Sequence, residues 1–153
     1  PESLAYATDL DAQVARLGLA TAVHFEGRRA GGDVKEFLAR ADVFVAPFVE
    51  LPNGDKDGIS TAILEAMAYG CAIVATDAGS TTEAIDSGDT GIVVPQRDAV
   101  QLASAIRTVL SDPALAARLG RNASEKAARQ FDVAHCEGLF HERIRTVLAR
   151  RAS

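Results

Sequence analysis

The chain has 153 residues, 48% of them hydrophobic and 24% charged, with no Trp and a formal net charge of −5. That length is enough for one domain with a real core, and we expect a single domain over 1–153. The negative balance, without a Lys/Arg face, excludes a nucleic-acid binder that works by neutralising phosphates, and no apolar run approaches the ~20 residues of a membrane span.

The first predicted element is a helix over Leu4 to Leu17, where Leu10, Val14 and Leu17 recur at spacings of four and three. Gly18 stands at the position of a C-cap. Ala22 to Glu26 reads as a short strand closed by Gly27, followed by a polar loop containing Arg28 and Arg29. Asp33 is the expected cap of a helix whose Val34, Phe37, Leu38 and Ala41 keep helical spacing. Val43 to Pro47 is the next strand.

A turn then leads into a helix over Ala62 to Tyr69, stopped by Gly70, and a strand over Ala72 to Thr76. Ser80 or Thr81 is expected to cap a short helix through Ile85, and Gly91 to Val94 is a fourth strand, stopped by Pro95. The runs AIVA and GIVV do not alternate with polar residues, which is the pattern of strands buried on both faces. Beyond Asp98 only helices follow. The first opens with Asp98 and Gln101 in a capping-box spacing and carries Leu102, Ile106, Val109 and Leu110. The second starts at Asp112-Pro113 and runs to about Gln130; the third covers about Val133 to Arg150.

Strands separated by helices give an α/β fold, a Rossmann-like doubly wound parallel sheet. Such sheets usually have about five or six strands, and four are visible. The chain also begins at Pro1 and shows no signal peptide. We therefore expect the first βαβ portion to lie upstream, in a longer protein. The segment 131–153 is expected to pack either on this domain or toward a further, N-terminal domain. Cys71 and Cys136 fit a reduced, cytoplasmic chain better than a disulfide framework.

The stretch DGISTAILEAMAYG, Asp57 to Gly70, carries the functional signal. It places a turn and a helix start beside the carboxyl ends of parallel strands, where α/β sheets bind ligands. The N–H groups of Ile59, Ser60 and Thr61 are expected there, suited to an anion. Asp57 and Glu65 are eight residues apart, at most ~12 Å if the backbone is helical. That is too far to share a proton and suits the two ends of an extended ligand. The alternative is that Asp57 caps the helix while Glu65 faces solvent. Spacing alone leaves both open.

Other patterns carry less. Asn53, Asp55 and Asp57 imitate the start of a calcium loop, but Leu64 stands where its twelfth-position Glu is required. At helical spacing Cys136 and His141 do not share a face, so His135, Cys136 and His141 do not form a metal site.

Several motifs in register, ADVFVAPF, NGDKDGI, LEAMAYG, the strand ending VAT, GSTTE and GIVVP, resemble the donor-binding segment of family-4 (group 1) glycosyltransferases of the GT-B fold. The turn is similar to that of the subgroup building exopolysaccharides such as colanic acid. The resemblance implies that Glu65 binds the nucleotide ribose, that Asp57 contacts the donor sugar, and that Gly58, Ile59, Ser60 and Thr61 lie at the diphosphate. Asp57 is one methylene shorter than the glutamate of the family pattern, and Ser60 replaces a glycine. Gly79, Thr82 and Glu83 fall in a segment beside the donor; Arg28 follows a strand end and is a lesser candidate for a phosphate.

The implied activity is retaining transfer of a sugar from a nucleotide-diphosphate sugar to a glycan or lipid-linked acceptor, with no cofactor and no essential metal. The implied partners are the nucleotide-sugar and an N-terminal acceptor domain of the same chain, and the full enzyme would be cytoplasmic, able to dock peripherally on the inner face of the membrane. A non-catalytic GT-B-like assembly module and a GT-B-fold nucleotide-sugar epimerase are the competing readings.

Overall fold

The structure, a computed structural model, describes residues 2–51 and 58–151. The chain divides into two compact units, Pro1–Asp33 and Val34–Ser153. The first holds helix α1 (Glu2–Arg16). Gly18, at φ 69°, ends it in a Schellman motif: Gly18 N–H donates to Ala15 O at 3.1 Å and Leu19 N–H to Val14 O at 2.9 Å. Leu10 and Val14 are half-buried, while Leu17 is exposed. The strand expected over Ala22 to Glu26 is not formed. β-propensity stabilises a strand only through neighbours, and the described residues of this unit offer no second strand. In the loop that follows, Arg29 pairs with Glu26.

Helix α2 (Gly31–Arg40) begins two residues before Asp33, which therefore lies inside the first turn and is not its cap. Of the predicted stripe, Leu38 is buried and Val34 half-buried, but Phe37 and Ala41 face solvent.

The second unit is built on a three-stranded parallel sheet in the order β1 (Val43–Ala46), β2 (Ala72–Thr76), β3 (Ile92–Val94). Val43 is in register with Ala72, and Val74 with Ile92. β1 stops before Pro47, which has no N–H for the ladder. β3 begins one residue later than expected, because Gly91 forms an isolated bridge with Ser87.

Every residue of β2 is buried, and its side chains divide between two cores by the strand's period of two. Ile73 and Ala75 pack with Ile63, Ala66 and Met67 of helix α3 (Thr61–Ala68), with Ala84 of α4 (Thr81–Ala84), and with Ala123 and Ala127 of α6 (Pro113–Gln130). Ala72 and Val74 pack with Ala105 and Val109 of α5 (Ala99–Ser111), and with Leu119 of α6. Leu110, read as part of the α5 stripe, is exposed.

Capping follows the sequence in places. Asp112 accepts from Leu115 N–H at 2.9 Å and is followed by Pro113 at the start of α6. Asp98 accepts from Gln101 N–H at 2.9 Å, but the Gln101 side chain returns to the Asp98 carboxylate, where a capping box would use the backbone N–H. These bonds hold the Asp98 carboxyl below its ordinary pKa. Neither Ser80 nor Thr81 caps α4: Ser80 makes no side-chain cap bond, and Thr81 Oγ1 donates back to Ala78 O at 2.7 Å.

Helix α7 (Val133–Arg151) closes the chain. Its side chains from Val133 to Leu148 are all exposed, Leu139, Phe140, Ile144 and Val147 among them. Lys126 of α6 is buried; its ammonium donates to Asp86 Oδ2 at 2.8 Å and to Glu83 O at 3.4 Å, satisfying the carboxyl end of α4.

Candidate functional site

The three strands are parallel, so the loops after them emerge at one edge of the sheet. There the second unit has a cavity of about 530 Å³, within the range of small-molecule sites. It is lined by Phe48 to Leu51 after β1, by Gly58 to Thr61 at the start of α3, and by Ala78, Gly79 and Thr81 after β2.

The start of α3 is chemically open. Ser60 is its N-cap residue with extended backbone (φ −64°, ψ 128°), yet its hydroxyl makes no cap bond. The first α3 N–H with an acceptor is that of Leu64, bonded to Ser60 O at 3.2 Å. The N–H groups of Thr61, Ala62 and Ile63 therefore find no acceptor among the described residues. Such a helix start carries partial positive charge and free donors, and it favours an anion. The helix begins at Thr61, and the N–H groups of Ile59 and Ser60 just before it likewise find no acceptor among the described residues, so the expected Ile59, Ser60 and Thr61 donors run on into the first turn.

The other end of α3 is fixed tightly. Gly70, at φ 69°, forms a second Schellman motif, with its N–H on Met67 O at 2.9 Å and Cys71 N–H on Ala66 O at 3.0 Å. Cys71 is buried, its thiol 3.1 Å from Leu38 O, and desolvation pushes its pKa up.

Of the residues expected at the site, Gly58, Ile59, Ser60, Thr61 and Gly79 are brought together around the cavity. Glu65 is exposed on α3, one turn beyond Thr61 on the same face, outside the cavity lining. Thr82 and Glu83 are exposed on α4, and Thr81 takes the place at the cavity. Arg28 is exposed in the first unit. Asp57, with the rest of the turn from residue 52, lies outside the described residues, as does the calcium-like sequence. No group of three or more His, Cys, Asp or Glu among the described residues is arranged to hold a metal ion.

A comparison with family models matches residues 4–112 to Glycosyl transferases group 1. The chain belongs to this glycosyltransferase family. It is 37% identical over 130 residues to the lipopolysaccharide core biosynthesis mannosyltransferase LpcC of Rhizobium leguminosarum bv. viciae, covering 85% of this chain and 35% of that protein. Among solved structures it resembles the C-terminal domain of a group 1 glycosyltransferase, LpcC, from Francisella tularensis, with a TM-score of 0.75, 25% identity, and coverage of 87% of this chain and 66% of that one. It also resembles Anabaena Alr3699/HepE in complex with UDP-glucose, with a TM-score of 0.82, 28% identity, and coverage of 94% of this chain and 37% of that one. The chain thus spans about a third of the length of the full-length relatives it matches. Its fold is that of the C-terminal half of a GT-B glycosyltransferase.

Within this group 1 glycosyltransferase fold, sequence reasoning missed one wall of the cavity. Glu50, in the loop after β1, is held from both of the other strand-end loops. Its N–H donates to Gln96 Oε1 at 2.8 Å, its carbonyl accepts from the Arg97 guanidinium at 2.8 Å, and its carboxylate accepts from Gly79 N–H at 3.2 Å. Beside it, Thr76 Oγ1 donates to Phe48 O at 2.5 Å, and Gln96 N–H donates to Asp77 Oδ1 at 2.8 Å. The available signal was topological: Gln96 and Arg97 follow a parallel strand and so reach the same edge of the sheet.

Proposed function

We propose that this chain is the donor-binding half of a retaining glycosyltransferase that moves a sugar from a nucleotide diphosphate to a glycan or lipid-linked acceptor in polysaccharide biosynthesis. The observation that carries this reading is the α3 start, where the N–H groups of Thr61, Ala62 and Ile63 find no acceptor among the described residues, beside a cavity at the carboxyl ends of the strands. A diphosphate over those donors gains charge-assisted hydrogen bonds. As the glycosidic bond breaks, negative charge grows on that same diphosphate, and fixed N–H dipoles stabilise it more in the transition state than in the bound donor. With this stabilisation we read the transfer as needing no essential metal.

Glu65 stands one turn further on, ~6 Å along the helix axis, which suits the ribose hydroxyls of the same ligand. Asp57 is the proposed contact to the donor sugar. The binding of UDP-glucose by a structural relative supports a nucleotide-sugar as the ligand. The acceptor site is assigned to another part of a longer protein, since the matched segment covers only 35% of the mannosyltransferase relative. The competing assembly-module reading gains nothing from Ser60, whose uncommitted hydroxyl at the cavity adds a donor for phosphate.

Titration calorimetry with UDP tests the proposal. Binding is expected, and Glu65→Ala should weaken it about tenfold through lost hydrogen bonds to a charged group. An assay of sugar transfer by these 153 residues alone should be blank. No heat at millimolar UDP, or a Glu65→Ala variant that binds as well as the parent, would refute the assignment.

A further inference from the structure

We propose that Glu50 and Arg97 are positioning residues of the donor pocket: Arg97 fixes the β1–α3 loop through the Glu50 carbonyl, and the Glu50 carboxylate fixes Gly79 of the β2–α4 loop. The proposal rests on the donor-site reading above. Its basis is that one residue joins all three loops that follow the strands. Glu50 and Gly79 both line the cavity, so their bond sets how far apart those two loops stand. Gln96 and Arg97 anchor the Glu50 backbone from the third loop by its N–H and its carbonyl.

A second observation separates this tie from ordinary loop packing. Arg97 has φ 63° and is the one non-glycine residue with positive φ among the described residues. An L side chain there is disfavoured by clashes of its Cβ with the backbone. Gly79, the residue at the other end of the chain of bonds, also has positive φ, 57°. Strain held beside a ligand cavity points to a conformation maintained for the site's geometry. A glycine at 97 would adopt this backbone freely, but it could not reach Glu50.

That asymmetry supplies the test. In Arg97→Gly the backbone strain is relieved while the tie is lost, so Tm should stay within about 2 °C of the parent. Affinity for UDP by titration calorimetry should nevertheless fall about fivefold. Amide exchange at Glu50 and Gly79 should accelerate about fivefold or more, with the β2 amides Ile73 to Ala75 unchanged. Glu50→Ala should reproduce both effects, and Glu50→Gln, which keeps an acceptor for Gly79 N–H, should recover at least half of the lost affinity.

A purely structural tie predicts a lower Tm with unchanged UDP affinity, and that result overturns the positioning role. So does unchanged exchange at Gly79 in both Arg97→Gly and Glu50→Ala. If the parent chain itself does not bind UDP, the donor-site reading fails and the positioning role falls with it. The exchange experiment still decides separately whether the three loops are tied.

Discussion

Gly120 of α6 is where a single methyl group should do most harm. A Cβ built on it would lie 2.0 Å from the carbonyl oxygen of Gly70, 3.0 Å from the Gly70 carbonyl carbon and 3.4 Å from the backbone of Cys71. Carbon–oxygen contacts are ordinarily about 3.3 Å or more, so something must move by roughly 1.3 Å. The Gly70 carbonyl is not free to turn away, because the Schellman bonds on Met67 O and Ala66 O fix that turn. The helix must therefore shift, loosening Leu119 from one core and Ala123 from the other. Overpacking against backbone belongs at the upper end of its range, ~3 kcal/mol, and the gain in helix propensity from Gly to Ala returns ~1 kcal/mol. The net loss of ~2 kcal/mol should lower Tm by about 4–8 °C. Gly138 is the control: it is also helical, but its added Cβ would have no atom within 4 Å. Gly138→Ala should leave Tm unchanged or slightly raised. Differential scanning calorimetry decides, and a Gly120→Ala protein as stable as the parent would mean that α6 does not approach the turn after α3 so closely. Because that turn fixes one end of α3, the same variant should also weaken UDP binding at the other end.

The remaining predictions concern two titrating groups. The carboxyl of Asp98 has a folded pKa below its ordinary 3.8 because Gln101 donates to it. The cap's contribution is therefore present above about that value and is lost as pH falls through the lowered folded pKa. Urea midpoints of the parent and Asp98→Ala should differ at pH 6 and converge in strong acid; a difference that grows toward low pH would contradict the cap. Burial raises the Cys71 pKa and keeps the thiol protonated, whereas Cys136 is exposed. A thiol reagent at pH 8 should label one cysteine per native chain rapidly and two in denaturant. Rapid labelling of both in the native protein would show that Cys71 is not enclosed.

What could be read from the sequence was set by local chemistry. The Ala72 to Thr76 run showed a strand buried on both faces, and the structure divides its side chains between two cores. Asp112-Pro113 marked a helix start because cap and proline both act within one turn. The glycine-bearing turn before α3 and the glycine after β2 located two loops of the cavity. Ala22 to Glu26 misled for the corresponding reason: its residues favour a strand, but a ladder partner is not a local property. Phe37 and Leu110 kept the right helical spacing and still face solvent, since a stripe tells which face is apolar and not how much of it is covered.

The Glu50 tie shows where this kind of reading stops and what extends it. Its bonds join residues 46, 47 and 29 positions apart, and no residue type in it announces the partner. Arginine is not a residue whose presence suggests positive φ, so position 97 offered no local sign either. Topology did offer one. In a sheet of parallel strands every strand-end loop opens on the same edge, so Pro95, read only as the stop of a strand, also placed Gln96 and Arg97 beside the loops after β1 and β2. Polar residues just past the last strand of such a sheet are therefore candidates for the wall of its ligand site, even when no motif includes them. The paired outcomes for Arg97→Gly, weaker UDP binding at unchanged Tm, are the measurement of whether that geometric corollary identifies function as well as position.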